Sequence, residues 1–179
     1  MKVFSISDLH LSGLTDKPME VFGAGWENHF EKIKKDWREK VSDEDVVLIC
    51  GDVSWGTVLE EGLYDLRTLK ELKGKKVFIR GNHDYWWNGI TKLRAAAPDG
   101  TFYFLQNDCV KIESIIICGS RGWTCPGSSD YGEHDEKLYL REAERFKLCY
   151  RQVEKVRAEE DKLIVMTHYP PFSLKSPDT

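Results

Sequence analysis

The chain has 179 residues, the size of one domain, and its 41% apolar and 31% charged residues provide for a core and argue against disorder. Twenty-six basic against 30 acidic residues give a net charge of −4, which argues against a broad electrostatic footprint for nucleic acid or an anionic membrane. The longest apolar run, 46–50, falls far short of the ~18 residues of a membrane span, no signal peptide is visible, and five cysteines without a C-x-x-C pair disfavour a disulfide framework or zinc knuckle and point to a reducing cytoplasm.

In chain order, short runs rich in Val and Ile at 3–6, 46–50, 77–79, 115–118 and 163–166 read as strands covered on both faces. Between the first two, Phe30, Ile33, Trp37 and Val41 mark one side of a helix. Leu59, Leu63, Leu66, Leu69 and Leu72 mark a second helix between the next two. Residues 101–105 and 109–117 flank Gln106-Asn107-Asp108, which predicts a hairpin turning there. A long charged helix follows from about Asp135, with Ala143, Phe146, Tyr150, Val153 and Val156 as its stripe. This order predicts a layered α/β domain with mixed strand directions, spanning 1–179 without a linker. The Gly/Ser/Pro-rich stretch 124–132 is short enough for an active-site loop, a mobile lid or an ordinary connection.

The strand ends carry unusual polar residues. Asp8-Leu9-His10 follows the first run, Gly51-Asp52 the second, Gly81-Asn82-His83-Asp84 the third and His168 the last, while Arg121 and Trp123 follow the run at 115–118. A single Asp after a strand is usually a turn or helix cap, and a single His is usually structural. Delivered together to one edge, where α/β folds gather their sites, they form a pattern that turn chemistry does not explain. In an extended segment Asp8 and His10 point the same way and reach one ion. Asp52 follows a glycine that permits a tight turn. Carboxylate, amide and imidazole without a thiol suit Mn, Fe or Zn.

On Asp8-x-His10, Gly51-Asp52, Gly81-Asn82-His83-Asp84 and His168, the sequence resembles the calcineurin-like metallophosphoesterase superfamily, in particular small bacterial predicted phosphohydrolases, over residues 1 to about 172. The resemblance implies an α/β/β/α sandwich with mixed sheets and a cytoplasmic, metal-dependent hydrolase of phosphomonoesters or phosphodiesters. It implies two divalent or trivalent ions, with a hydroxide bridging them as nucleophile. Asp8 and His10 would hold the first ion, Asp52 would bridge, and Asn82 and His168 would hold the second. His83 would act at the leaving group with Asp84 orienting its ring. The expected partner is a small phosphoester, with nucleic acid disfavoured by the charge.

One departure stands out. The family pattern continues into a Gly-His-x-His block that supplies one imidazole to each ion, and no such block precedes Thr179. The expectation is a chain truncated before its last ligands and strands, with a sheet edge left open. His29 and His134 sit in charged segments, in the wrong order to substitute.

Other residues carry two readings. Arg121 is a candidate for the substrate phosphate, set against a salt bridge or a turn. Trp86, Trp87 and Trp123 form a stacking wall or pack the loop, with packing the favoured reading. Cys125 reads as a spectator thiol. Two rival functions remain in view. A non-enzymatic interaction module would keep the fold without a complete site. An all-helical His-Asp phosphohydrolase would need its His83-Asp84 pair on a helix rather than after a strand.

Overall fold

The computed structural model describes residues 1–128 and 131–172. Two compact units divide the chain, Met1–Phe104 and Leu105–Thr179.

In the first unit, β1 (Val3–Ile6), β2 (Val46–Ile49), β3 (Lys75–Phe78) and β4 (Phe102–Phe104) pair in that order, and every pairing is parallel. A parallel pair needs a crossover. Here α1 (His29–Lys40), α2 (Leu59–Lys70) and α3 (Ile90–Ala96) lie in the connections. All four residues of β2 are buried, which accounts for its unbroken Val-Val-Leu-Ile run. The predicted stripe of α1 is the face that packs: Trp37 and Val41 join the core, with Phe30, Ile33, Phe4 and Ile6 against it. The indole N–H of Trp37 donates to the carbonyl of Lys73 at 2.9 Å.

A single carboxylate ties the start of this sheet down. Asp45 accepts the Lys2 amide at 2.6 Å, the Ser42 amide at 2.9 Å and the Ser42 hydroxyl at 2.8 Å. These donors pull its carboxyl down to about 2 from the usual 3.8. A depressed carboxyl contributes stability that is fully present above its unfolded value and is lost as the pH falls through its folded one. Asp45→Asn should therefore lower the urea midpoint near neutral pH and flatten the loss of stability between about pH 4 and pH 2. A variant with the wild-type acid profile would contradict this.

In the second unit, β5 (Cys109–Ile112) and β6 (Ile115–Ser120) are antiparallel, and β7 (Lys162–Thr167) pairs parallel with β6. The intervening α4 (Glu133–Val156) makes the parallel return possible and packs Cys149 and Val153 on Ile116 and Cys118. The α/β class expected from the sequence is what the structure shows, with one wholly parallel sheet and one mixed sheet.

The hairpin lies one strand later than expected. Residues 102–104 pair with β3, where Phe102 and Phe104 stack on Phe78 at 5.4 and 4.8 Å. The antiparallel turn is Glu113-Ser114, closed by the Ile112–Ile115 pair, with Glu113 in the left-handed region. Gln106-Asn107-Asp108 is instead the passage into the second unit. Within the stretch 124–132, Ser129 and Asp130 lie outside the described residues, as do 173–179.

All five cysteines are free thiols. Burial, with the charge of Asp8 adding to it, pushes Cys50 up to about 11, and burial pushes Cys118 up to about 12. Neither is a thiolate at neutral pH. No helix among the described residues is long and apolar enough to cross a membrane.

Candidate metal centre

Because β1, β2 and β3 run parallel, their carboxyl ends open on one edge of the first unit's sheet. Beyond that edge the first two loops continue side by side. The amides of Asp8, His10 and Leu11 donate to the carbonyls of Gly51, Asp52 and Val53 at 3.1, 3.0 and 2.9 Å, and the Trp55 amide returns to Leu11 at 2.8 Å.

Asp8 and His10 meet, but not through an extended backbone. Both are left-handed, at φ +58° and +45°, and Asp52 is left-handed at +52° after Gly51 at +95°. A left-handed non-glycine residue costs roughly 1–2 kcal/mol. Strain of this kind collects where a site needs an unusual side-chain direction.

That direction is convergence. His10 Nε2 lies 3.5 Å from Asp8 Oδ1 and 3.8 Å from Asp52 Oδ2. The three ligand atoms all lie within 4.8 Å of one another. Bonds of about 2.0–2.2 Å to one ion place neighbouring ligand atoms about 3–3.6 Å apart, so the cluster needs only slight contraction to close on a cation. Two carboxylate oxygens and an imidazole nitrogen, with no sulfur, suit a hard or borderline divalent ion. Asp52 is 2% exposed and His10 8%. The Asp8 side chain is 47% exposed, which leaves the cluster a solvent side.

The loop after β3 is built onto Asp52. The His83 amide donates to Asp52 Oδ1 at 2.8 Å. Gly81 lies so close to Asp52 that an added Cβ would stand 2.0 Å from Oδ1 and 2.4 Å from its amide nitrogen. Asn82, half-buried, lies between these two contacts. The His83 ring lies 5.9 Å from the His10 ring and 4.9 Å from Trp55.

The resemblance implies that Asp84 orients the His83 ring, but among the described residues its hydrogen bonds go elsewhere. Its side chain is fully buried, and its carboxylate accepts five donors. The amides of Asp52 and Gly81 reach Oδ2, both at 2.8 Å. Oδ1 takes the amides of Val53 at 2.8 Å and Ser54 at 3.4 Å, and the Trp86 indole at 2.9 Å. None is the His83 ring. Asp84 is the clasp that joins the Asp52 loop to the Gly81 loop. Burial pushes its carboxyl upward in pKa, while the amide donors pull the other way.

Of the two readings for the tryptophans, packing is the one that Trp86 and Trp87 follow. Trp86 and Trp87 are 0% exposed and belong to the core. Trp86 lies against Gly62 of α2, where a side chain would collide with the indole. The aromatic neighbours of the cluster are Trp55, stacked on His10 at 4.5 Å, and Trp26, edge-on at 6.4 Å. The signal that could have found Trp55 is its position three residues after Asp52. His29 is engaged elsewhere, with Nε2 2.9 Å from the carbonyl of Leu9 and Nδ1 3.2 Å from that of Trp26. His134 lies in the first turn of α4, in the second unit.

The remaining candidates belong to the second unit. The Arg121 carbonyl accepts the amides of His168 and Tyr169 at 3.1 and 2.9 Å, joining the ends of β6 and β7. The Arg121 guanidinium lies 3.3 Å from the buried carboxylate of Glu142 and 4.4 Å from the Trp123 ring. Glu142 also takes Ser120 Oγ at 2.6 Å and Arg145 at 2.8 Å. Trp123 donates its indole N–H to Asp135 at 2.9 Å and packs on Tyr169 at 5.0 Å. Cys125 is buried, with its thiol 3.2 Å from the Pro170 carbonyl.

No curated protein matched the chain. Among solved structures, a protein of unknown function from Aquifex aeolicus is 21% identical over 82% of this chain and 74% of its own, with a TM-score of 0.45. The family model of the calcineurin-like phosphoesterases matches residues 1–178. Its span takes in every strand end described above, and the chain belongs to the calcineurin-like phosphoesterase family.

Proposed function

We propose that this metal-dependent phosphoester hydrolase works on small phosphomonoesters or phosphodiesters through a dinuclear centre. Asp8 and His10 would hold the first ion, Asp52 would be shared between both, and Asn82 would belong to the second. His168 joins that ligand set on the residue pattern alone. The observation that carries the reading is the convergence of Asp8, His10 and Asp52 on strained, mutually hydrogen-bonded turns.

The bound ions would supply Lewis-acid activation of water and charge neutralisation on the phosphoryl oxygens. The chain's own residues supply the rest. Asp52 fixes the distance between the metal edge and His83, because its Oδ1 holds the His83 amide while Oδ2 faces His10. His83 donates a proton to the departing oxygen or offsets its charge, a contribution of typically ~10²–10⁴-fold. The exposed side of Asp8 leaves the cluster open to solvent on that side.

The test is hydrolysis of p-nitrophenyl phosphate and bis-p-nitrophenyl phosphate. Activity should vanish with chelator and return with Mn²⁺. If the Mn²⁺-loaded protein hydrolysed no member of a broad phosphoester panel, the reading would be abandoned. A protein that retained no metal at all would favour an interaction role instead.

A further inference from the structure

We propose that Trp55 is a positioning residue which braces the two imidazoles of the centre, His10 and His83, on one indole. Metal retention and the step at the leaving group would then weaken together when its flat face is lost. The inference rests on the hydrolase reading above.

A ligating histidine is ordinarily oriented by a hydrogen bond from its second ring nitrogen to a carboxylate or carbonyl. That device is missing here. His10 Nδ1 is buried with no hydrogen-bond partner among the described residues. The carboxylate next to His83 in sequence, Asp84, is filled by five other donors. Ring contacts stand in its place. Trp55 stacks nearly parallel to His10, at 4.5 Å and 20°, and meets His83 at 4.9 Å and 58°. The two imidazoles meet edge to face at 5.9 Å, which completes a triangle of rings.

A brace must itself be held, and Trp55 is held at three points. Its amide donates to Leu11 at 2.8 Å, inside the parallel loop pair. Its indole N–H donates to the sulfur of Met19 at 3.2 Å. The Lys17 ammonium lies 4.7 Å from the ring centroid, a cation–π contact. Backbone, ring edge and ring face are each occupied, so the indole has little freedom to rotate away from the histidines.

Two variants separate bracing from bulk. Trp55→Leu keeps an apolar side chain and removes the flat face, whereas Trp55→Phe keeps a flat face. Mn²⁺ affinity is read on the metal-free protein by calorimetry, and kcat and KM are read at saturating Mn²⁺. Trp55→Leu should lose about 10–100-fold in Mn²⁺ affinity, the range for residues behind metal ligands. Its kcat should fall with KM near wild type. Trp55→Phe should restore most of both losses. A Leu variant with wild-type affinity and kcat would overturn the inference alone, as would a Phe variant no better than Leu. A wild-type protein that takes up no Mn²⁺ would overturn the hydrolase reading and this inference with it. Thermal melting of both variants confirms that the readings come from folded protein.

Discussion

Asp52→Asn should empty the metal centre, and His83→Ala should leave it loaded but slow. The two side chains are neighbours joined by one hydrogen bond, yet they face different tasks. Asp52 turns Oδ2 toward His10, 3.8 Å away, and spends Oδ1 on the His83 amide. An amide at position 52 removes a negative charge from the cluster and puts an NH2 donor group where one of the two oxygens now sits. That group must face either His10 or the His83 amide. The loss of Mn²⁺ affinity should therefore exceed the ~10–100-fold typical of residues behind the ligands. His83 touches the site through its backbone amide and its ring. His83→Ala keeps the amide and deletes only the ring. Occupancy should stay near wild type while kcat falls by ~10²–10⁴-fold, the usual contribution of a positioned acid or base. Elemental analysis of both proteins, beside turnover at saturating Mn²⁺, separates the roles. Equal metal loss in the two variants would sink the division of labour.

The parts of this site that the sequence reveals are those written in residue type at strand ends. Asp8, His10, Asp52, Asn82 and His83 stand after Val- and Ile-rich runs, and a parallel sheet opens all such ends on one edge. Position along the chain was therefore enough to place them. What the sequence hides is how backbone and neighbours aim them. Nothing in Asp8-Leu9-His10 shows that two left-handed residues, rather than an extended segment, bring the side chains together. Asp84 follows His83 directly, which suggests a partnership; its burial and five donors from two loops appear only once those loops are folded together. Trp55 and Trp86 follow the same logic in opposite directions. Both indoles lie near polar blocks in the sequence, but only contact with α2 decides that Trp86 is core. The hairpin was displaced for a related reason. Phe102 and Phe104 gain more by stacking on Phe78 in the parallel sheet than a local turn at 106–108 offers.

The second large effect concerns that clasp. Asp84→Ala should destabilise the whole protein and loosen the metal centre together. Removing the carboxylate leaves the amides of Asp52, Val53, Ser54 and Gly81 and the Trp86 indole without their acceptor in a site closed to solvent. A buried donor left without its acceptor typically costs about 1–3 kcal/mol, so several together are a large share of the ~5–15 kcal/mol that holds a domain folded. Because two of those amides belong to Asp52 and Gly81, the lost clasp also frees the two loops that fix the bridging carboxylate. Gly81→Ala attacks the same junction by another route. Its new Cβ would stand 2.0 Å from Asp52 Oδ1 and 2.4 Å from the Asp52 amide, so Asp52 must move and its hydrogen bond to Asp84 is disturbed, while the Asp84 carboxylate stays in place as acceptor for the other donors. Overpacking of this kind costs about 1–3 kcal/mol, so Gly81→Ala should lose metal affinity with the smaller loss of stability. Urea unfolding of the metal-free proteins gives the stability order, and Mn²⁺ titration of the folded fractions gives the affinities. Were Asp84 instead a partner of the His83 ring, Asp84→Ala would unfold with the wild type, keep its metal and lose only turnover. That pattern, set beside a Gly81→Ala that loses metal, would return Asp84 to the catalytic group and leave the loop junction to Gly81 alone.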